Sequence, residues 1–348
     1  MIETKRDNVV DVIKVVALLF VIVIHNSFCD IEILKYGFPF YLKCAVPTFI
    51  ILSSYVLSDS FKKRNIDSLK KAYNINYLIA RYIRFIVPYL FIVIIQIIFR
   101  YFYMHNEFGI RETIYSIISG GYGKGGYYNV IMFQLIILFP LIYFLVKRKG
   151  IYGVIDCFLI NLLYEIIQTS YLMNGSFYRL ISLRYIFIIS IGVFIYLSKK
   201  KIRPYILLIS FVIGLLYVVL VDYTSYKPLF ITKWSDTSLF FGFYVIPVIY
   251  VLLNMKRKKL NLKIMNSISK ASYNIFLVQT LLYYIIDNLK IKITDSIVIN
   301  CLIMVVASFI VGYIFYKIEA PITKWLISIT NKISFKKNNK IESILLNG

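Results

Sequence analysis

Two ionisable residues interrupt the first apolar run of the chain, and their spacing suggests that they act together. Lys14 and His25 lie in the stretch D-V-I-K-V-V-A-L-L-F-V-I-V-I-H, which begins at Asp11 and is otherwise apolar. Ionisable groups within a membrane-length segment are costly, so each is a functional hypothesis. In a helix this spacing places the two side chains on one face, about 16 Å apart. Asp11 falls on the same face.

The chemistry that these side chains offer is proton transfer and anion binding. An imidazole ordinarily titrates near neutrality, and that of His25 could take a proton from a sugar hydroxyl that attacks a carbonyl group. Lys14 could hold an anionic ligand. Two structural alternatives stay open: His25 as an inert histidine at a helix end, and Lys14 as a residue that reaches the lipid headgroups or pairs with Asp11.

A second basic pair stands at the start of a later apolar run. Arg81 and Arg84 lie one helical turn apart in Y-L-I-A-R-Y-I-R-F-I-V-P-Y. Two arginines on one face have the geometry of a phosphate clamp, although basic residues at this position are also typical membrane anchors. We expect Pro88, which follows them, to kink or loosen the helix.

The composition indicates a polytopic membrane protein. Of the 348 residues, 59% are hydrophobic, and the mean hydropathy is +0.74. The formal charge of +23 comes from Lys and Arg clusters between apolar runs, which is the pattern of loops facing anionic lipid. We therefore do not expect nucleic acid to be a partner. With two histidines and no CxxC pair, we expect no metal site.

The apolar runs predict an all-α bundle of ten membrane-spanning helices in one transmembrane domain, residues 1–330, followed by a short basic cytoplasmic tail, residues 331–348. The first run lacks a cleavage site and is expected to remain as a span. The predicted spans cover residues 9–28, 38–57, 83–102, 130–146, 151–171, 181–197, 204–221, 238–254, 271–287 and 296–316.

Loop charges predict the orientation of these spans. Lys and Arg concentrate before the first span, after each even-numbered span and in the tail, whereas the odd-numbered loops are sparser and mixed in sign. The positive-inside rule therefore places both termini in the cytoplasm, with Lys14 on the inner side and His25 on the outer side. The glycine run at 120–126 lacks the context of a phosphate loop and is predicted to be a flexible turn. Glu165 and Arg184 are expected to pair within the bundle or to line a cavity.

Six segments together resemble the acyltransferase-3 family of integral membrane acyltransferases. The first is the opening D-V-I-K…H, which matches the family pattern of an acidic residue, a basic residue, ten residues and a histidine. The others, in order, are V-P-T-F-I-I-L-S-S-Y, the arginine frame with P-Y, Y-Y-N-V-I-M-F-Q-L-I-I-L-F-P, I-S-K-A-S-Y-N-I-F-L-V-Q and I-E-A-P. The resemblance covers nearly the whole chain.

The resemblance implies an acyl-coenzyme A donor, acetyl-CoA or a related thioester, bound from the cytoplasm. It implies an acceptor hydroxyl on an extracytoplasmic polysaccharide or lipid-linked glycan, in a bacterial cytoplasmic membrane. Glycan-assembly proteins or further copies of the chain are the protein partners it suggests. The implied site residues are His25 and Asp11 for catalysis; Lys14, Arg81, Arg84, Ser53 and Tyr55 for the donor; and Asn26, Tyr128, Gln134, Arg184 and Glu165 for the acceptor or cavity lining.

The chain departs from the family pattern at three places. Ser54 stands where the family favours glycine, Gln279 where many members have histidine, and Tyr128-Asn129 where histidine or tryptophan is frequent. Two further hypotheses therefore stay open. One is a glycan exporter without covalent chemistry, for which intramembrane Lys14, Glu165 and Arg184 would form a polar pathway. The other is an inactive relative that serves as an assembly partner.

Overall fold

A computed structural model describes residues 8–25, 42–103, 109–170, 178–198, 201–224, 239–255, 262–291 and 294–346 of the chain. Within these ranges the protein is α-helical and contains no β-strand. A 3₁₀ turn spans Ser182–Tyr185. The helices are α1 Asn8–Ile24, α2 Ala45–Lys63, α3 Leu69–Ala72, α4 Ile75–Tyr103, α5 Ile110–Ser119, α6 Tyr127–Lys149, α7 Ile151–Ser170, α8 Ile186–Leu197, α9 Pro204–Tyr223, α10 Leu239–Asn254, α11 Lys263–Leu289 and α12 Ile297–Leu346.

Each of the ten predicted apolar runs overlaps one of these helices. Five helices in the described part of the chain are long and apolar enough to cross a membrane by themselves: α4, α6, α7, α9 and α12. Helices α8 and α10 are apolar but shorter. The structure therefore supports an all-helical membrane protein, while the count of ten spans and the cytoplasmic location of both termini stay predictions.

The last helix is longer than the apolar run that predicts the tenth span. That run ends at residue 316, but α12 continues through Pro321 to Leu346. A proline removes one backbone donor and tilts a helix, yet neighbouring groups can satisfy the carbonyl that it frees. Helices α4, α6 and α10 likewise continue through an internal proline.

The buried apolar side chains form two clusters that divide the bundle. The first is built mainly from α2, α6, α8 and α10, and the second mainly from α1, α4 and α11. Helix α1 contributes to both, with Val10 and Ile13 in the first cluster and Leu18 and Ile22 in the second. Tyr128 packs against both clusters. The two halves thus meet along α1 and the start of α6.

Close packing of α8 on α2 accounts for one departure from the family pattern. Ser54 is fully buried, and its hydroxyl donates to the carbonyl oxygens of Ile50 and Ile51 at 3.0 and 2.9 Å. Gly192 on α8 faces it, and a Cβ there would come within 2.0 Å of the Ser54 Oγ. The absent side chain of Gly192 therefore makes room for the hydroxymethyl group of Ser54.

Candidate functional site

A cavity of about 780 Å³ lies between α1, α2, α4, α6 and α11. Lys14 and His25 both line it, as their shared helix face predicts. Ser53 from α2, Arg84 from α4 and Tyr128 from α6 complete the set of predicted residues that face this space. We refer to its two ends as the Lys14 end and the His25 end.

The charge of the lining is entirely positive. Among the residues that the structure describes, no Asp or Glu contributes to the wall of the cavity. A concentration of cations around one cavity creates a positive potential that attracts anions, so the lining suits a polyanionic ligand. The cationic side chains of the wall are Lys14, Lys43, Arg84, Lys124, Arg179 and Lys270.

His25 lies in the turn that follows α1, beneath the glycine-rich segment. A Cβ placed on Gly125 would lie 2.9 Å from His25 Nε2, so the backbone of this glycine lies directly against the imidazole. The ring also meets Tyr283 edge-on, with centroids 6.2 Å apart, and the Tyr283 hydroxyl donates to the Ile22 carbonyl at 2.7 Å. The imidazole is therefore fixed between α11 and the glycine turn, with a face on the cavity.

The glycine run forms a turn whose shape depends on glycine. Gly120, Gly121 and Gly125 have positive φ of 105°, 91° and 83°, values that residues with a side chain rarely adopt. A Cβ on Gly123 would lie 2.3 Å from the Thr280 carbonyl oxygen, so the backbone packs directly on α11. The sequence predicts the turn but not its position over His25.

Lys124 ties this turn to its surroundings. Its ammonium group forms an ion pair with Asp287 at 2.8 Å and lies 3.4 Å from the backbone carbonyl oxygen of His25. It also lies 5.6 Å from the centre of the Tyr283 ring. Lys124 thus links the end of α11, the turn and the catalytic candidate.

The Lys14 end is organised by Asp11. Its carboxylate is buried, with 2% of its surface exposed, and accepts a hydrogen bond from Ser269 Oγ at 2.6 Å. Ser269 and its neighbour Lys270 both line the cavity. Along α1, Asp11 is about 21 Å from His25. Asp11, predicted to be catalytic with His25, therefore lies too far away to touch the same reacting atoms, and its hydrogen bond with Ser269 connects α1 to α11.

We expect a double-mutant cycle to detect this contact. Asp11→Ala and Ser269→Ala should each lower the thermal stability of the detergent-purified protein, because each leaves a buried polar group without its partner. The coupling between them should be about 1–3 kcal/mol. Additive effects would show that the hydrogen bond contributes nothing to stability.

Two predicted donor-binding residues do not line the cavity. The Arg81 guanidinium lies 4.8 Å from the centre of the Tyr77 ring, in a cation–π contact at the start of α4. The Tyr55 ring packs edge-on against Tyr196, with centroids 5.3 Å apart. Arg81 thus packs on a residue of its own helix and Tyr55 packs between α2 and α8, whereas Arg84 reaches the cavity.

The middle of the cavity is aromatic. Tyr128 packs against Phe276 and Phe49, with ring centroids 5.3 and 6.2 Å apart. The Tyr273 hydroxyl lies 3.1 Å from both the Phe85 carbonyl oxygen and Asn129 Oδ1. These contacts connect α4, α6 and α11 around the space between Lys14 and His25.

The remaining predicted residues form a separate polar cluster beside the cavity. Arg184 is fully buried, and its guanidinium lies 4.4 Å from the centre of the Tyr178 ring. The Tyr178 hydroxyl donates to Glu165 at 2.5 Å, so this tyrosine stands between the two charges. Gln134 donates to the Leu180 carbonyl oxygen at 2.6 Å. Asn26 lies outside the described residues.

Several residues of the cavity wall were not predicted from the sequence. Lys124 and Arg179 lie in loops that the predicted topology places outside, and Lys43 lies near the outer end of the second predicted span, where the positive-inside rule expects few cations. Cations at positions where the rule expects few were the sequence signal that could have identified these residues. Lys270 was counted only as a loop charge.

Two further observations concern the residues in and around the site. In the described residues, no group of three or more His, Cys, Asp or Glu side chains could hold a metal ion. Gln279 is fully buried and is not part of the cavity wall.

Comparison with known proteins gives one match. The sequence model of a family described as the acyltransferase domain matches residues 7–317 of the 348-residue chain. Neither the curated proteins nor the solved structures include a match. The matched range contains every residue of the cavity wall.

Proposed function

Because the chain belongs to the acyltransferase-3 family and is an all-helical membrane protein, we propose that it is an acyl-coenzyme A-dependent O-acyltransferase of surface glycans. The donor carries an acetyl or other short acyl group and binds from the cytoplasm. The acceptor is a hydroxyl of an extracytoplasmic polysaccharide or its lipid-linked precursor. The observation that carries the proposal is one cationic cavity with Lys14 towards one end and His25 at the other.

The wall suits the two parts of the donor. The phosphates of coenzyme A are polyanionic, and Lys14, Arg84 and Lys270 offer cations to them from α1, α4 and α11. The uncharged pantetheine arm would extend past Tyr128 and Phe276 towards His25. An extended donor is needed because the helix rise separates Lys14 and His25 by about 16 Å.

The chemical step follows from the position of the imidazole. Neutral His25 takes the proton of the acceptor hydroxyl as its oxygen attacks the thioester carbonyl. Collapse of the tetrahedral intermediate breaks the carbon–sulfur bond, and the imidazolium returns the proton to the coenzyme A thiolate. The products are an O-acyl ester and coenzyme A, and His25 is neutral again.

Arg84 and Arg81 offer a matched test of donor binding. We expect Arg84→Gln to raise the KM for acetyl-CoA about tenfold or more, because a charge-assisted hydrogen bond contributes about 1.5–3 kcal/mol. Arg81→Gln should change this KM much less, because its guanidinium packs on Tyr77. Initial rates at varied acetyl-CoA measure both. Equal effects of the two substitutions would contradict the assignment of Arg84 to the cavity.

The proposed activity is tested on the cell-surface polymer and on the purified protein. Deletion of the protein should remove an acyl substituent at normal polymer yield, measured by mass spectrometry. Purified protein should release coenzyme A from acetyl-CoA when an acceptor is present. Loss of exported polymer with unchanged substitution would instead identify an exporter, and intact acetyl-CoA would refute the enzyme. Localisation in the bacterial cytoplasmic membrane is part of the same proposal.

A further inference from the structure

We infer that α5, Ile110–Ser119, lies at membrane depth beside α4 and that lipid acyl chains cover its exposed apolar face. Through this contact the membrane helps to hold the glycine turn, residues 120–126, over His25. The lipid contact depends only on the membrane character of the protein. Its effect on turnover rests on the proposed function.

Helix α5 is amphipathic, and its apolar side is exposed. Ile110, Ile114 and Ile118 recur every four residues and so lie along one face, where they are 72%, 52% and 66% exposed. Tyr115 lies beside them and is 61% exposed. No residue of α5, all of which the structure describes, is buried. Contiguous exposed apolar residues of this kind mark a contact surface.

Two contacts place α5 alongside α4. The Arg100 guanidinium lies 3.6 Å from the Glu112 carboxylate, and the Tyr89 hydroxyl donates to the Ile117 carbonyl oxygen at 2.5 Å. Arg100 lies near the end of α4, whereas Tyr89 lies in its middle. As α5 advances from Glu112 to Ile117, it therefore runs back along α4 towards the centre of this membrane-length helix.

The surroundings and composition of α5 favour lipid over water. Residues 113–123 contain no charged side chain. The hydroxyls of Thr113 and Ser119 each donate to a backbone carbonyl oxygen within about one helical turn, at 3.1 and 3.3 Å, and so need no water. The adjacent half of α4 also exposes large apolar side chains, which are Ile94, Ile95, Ile98, Tyr101 and Phe102. The apolar face of α5 therefore lies at the level of an apolar, lipid-facing surface of α4.

The glycine turn also suits membrane depth, because the protein supplies partners for its backbone. The Tyr122 N–H donates to Gln96 Oε1 at 3.1 Å, and this glutamine is only 1% exposed. The Gly121 N–H donates to the Ser116 carbonyl oxygen at 2.7 Å. Irregular backbone at membrane depth is tolerated where the protein itself supplies such partners.

The turn couples α5 to the catalytic candidate. Gly120 ends α5 with a φ of 105°, and a Cβ there would lie 2.2 Å from the Gly126 carbonyl oxygen, so the two ends of the turn touch. Gly125, which precedes Gly126, lies against His25 Nε2. A shift of α5 would move this glycine. Lipid on the apolar face of α5 therefore stabilises the turn in the position that covers the imidazole.

The test of the lipid contact places a tryptophan on either side of α5 in full-length protein reconstituted in phospholipid vesicles. Trp234→Phe and Trp325→Phe first remove the two native tryptophans. Ile114→Trp then reports from the apolar face, and Glu112→Trp, two residues away and so nearly opposite, is the matched control. We expect lipid brominated on its acyl chains to quench Ile114→Trp at least about threefold more than Glu112→Trp, and aqueous iodide to show the reverse order.

Turnover tests what the contact does for the turn. The double substitution Ile114→Ser/Ile118→Ser should lower kcat at least about tenfold, because a displaced turn leaves His25 misaligned. The KM for acetyl-CoA should change less than about twofold, because the donor phosphates bind towards the Lys14 end. Ile114→Leu/Ile118→Leu keeps the apolar face and should keep the wild-type kcat. Thermal unfolding shows whether both proteins are folded.

Several results would overturn the inference. Equal quenching of the two tryptophans by brominated lipid, or stronger quenching of Ile114→Trp by iodide, would place the apolar face in water or against the acceptor. Protection of Ile114→Trp from both quenchers would place it against a second protein. Wild-type kcat in Ile114→Ser/Ile118→Ser would refute the positioning of the turn. Quenching needs no acyl transfer, so an inactive wild-type protein would refute the proposed function and leave the lipid contact standing.

Discussion

Alanine in place of His25 is expected to lower kcat for acyl transfer by about 10²- to 10⁴-fold, because general-base catalysis contributes that much to the rate. Among the residues that the structure describes, His25 supplies the one imidazole of the cavity wall, and the substitution removes it. The KM for acetyl-CoA should change little, since the donor phosphates bind towards the Lys14 end. Initial rates with labelled acetyl-CoA measure both constants.

His105→Ala is the matched control, because His105 is the only other histidine of the chain. It should retain the wild-type kcat. Thermal unfolding in detergent and membrane yield will show whether His25→Ala protein is folded. A well-folded His25→Ala protein with wild-type turnover would remove His25 from the mechanism and would favour an inert histidine.

Gly125→Ala is expected to cost at least about a hundredfold in kcat, because small displacements of a catalytic group have effects of that size. The new methyl group would lie 2.9 Å from His25 Nε2. The imidazole is the movable partner in this clash, so it would rotate away and lose its alignment with the acceptor. The loss should therefore appear in turnover more than in folding. Steady-state kinetics and thermal unfolding measure the two effects separately.

Gly150→Ala separates backbone strain from the clash with His25. Gly150 also has a positive φ, 60°, but a Cβ there would meet nothing within 4 Å. It ends α6 about 34 Å from Tyr127, so it is remote from the cavity. Both substitutions should cost about 1–3 kcal/mol of stability, because each places a residue with a side chain at a positive φ that such residues rarely adopt. Equal activities for the two variants would show that Gly125 acts only through strain.

The sequence predicted the part of the site that depends on one helix. Lys14 and His25 share a face of α1 because helical periodicity fixes their relative direction, and both line the cavity. Arg84 and Ser53 could also be predicted, since each lies on a helix that the apolar runs predict. The all-helical architecture follows from the same runs.

Contacts between distant segments could not be predicted from the sequence. No local pattern indicates that the glycine turn lies over His25 or that Ser269 binds Asp11 across α11 and α1. Arg81 and Arg84 lie one turn apart in one helix and look equivalent in the sequence. The structure distinguishes them by the ring of Tyr77, on which the Arg81 guanidinium packs. Local sequence also supports a helix end at Pro321, whereas the structure continues the helix through it.

The division of the apolar side chains into two clusters has a consequence for how the protein unfolds. Substitutions within different clusters remove separate contacts, so their effects on the free energy of unfolding should be additive. Tyr128 is the exception among the described residues, because it packs against both clusters. We therefore expect Tyr128→Ala to be non-additive with core substitutions in either cluster, which would make this cavity-lining ring a determinant of folding cooperativity.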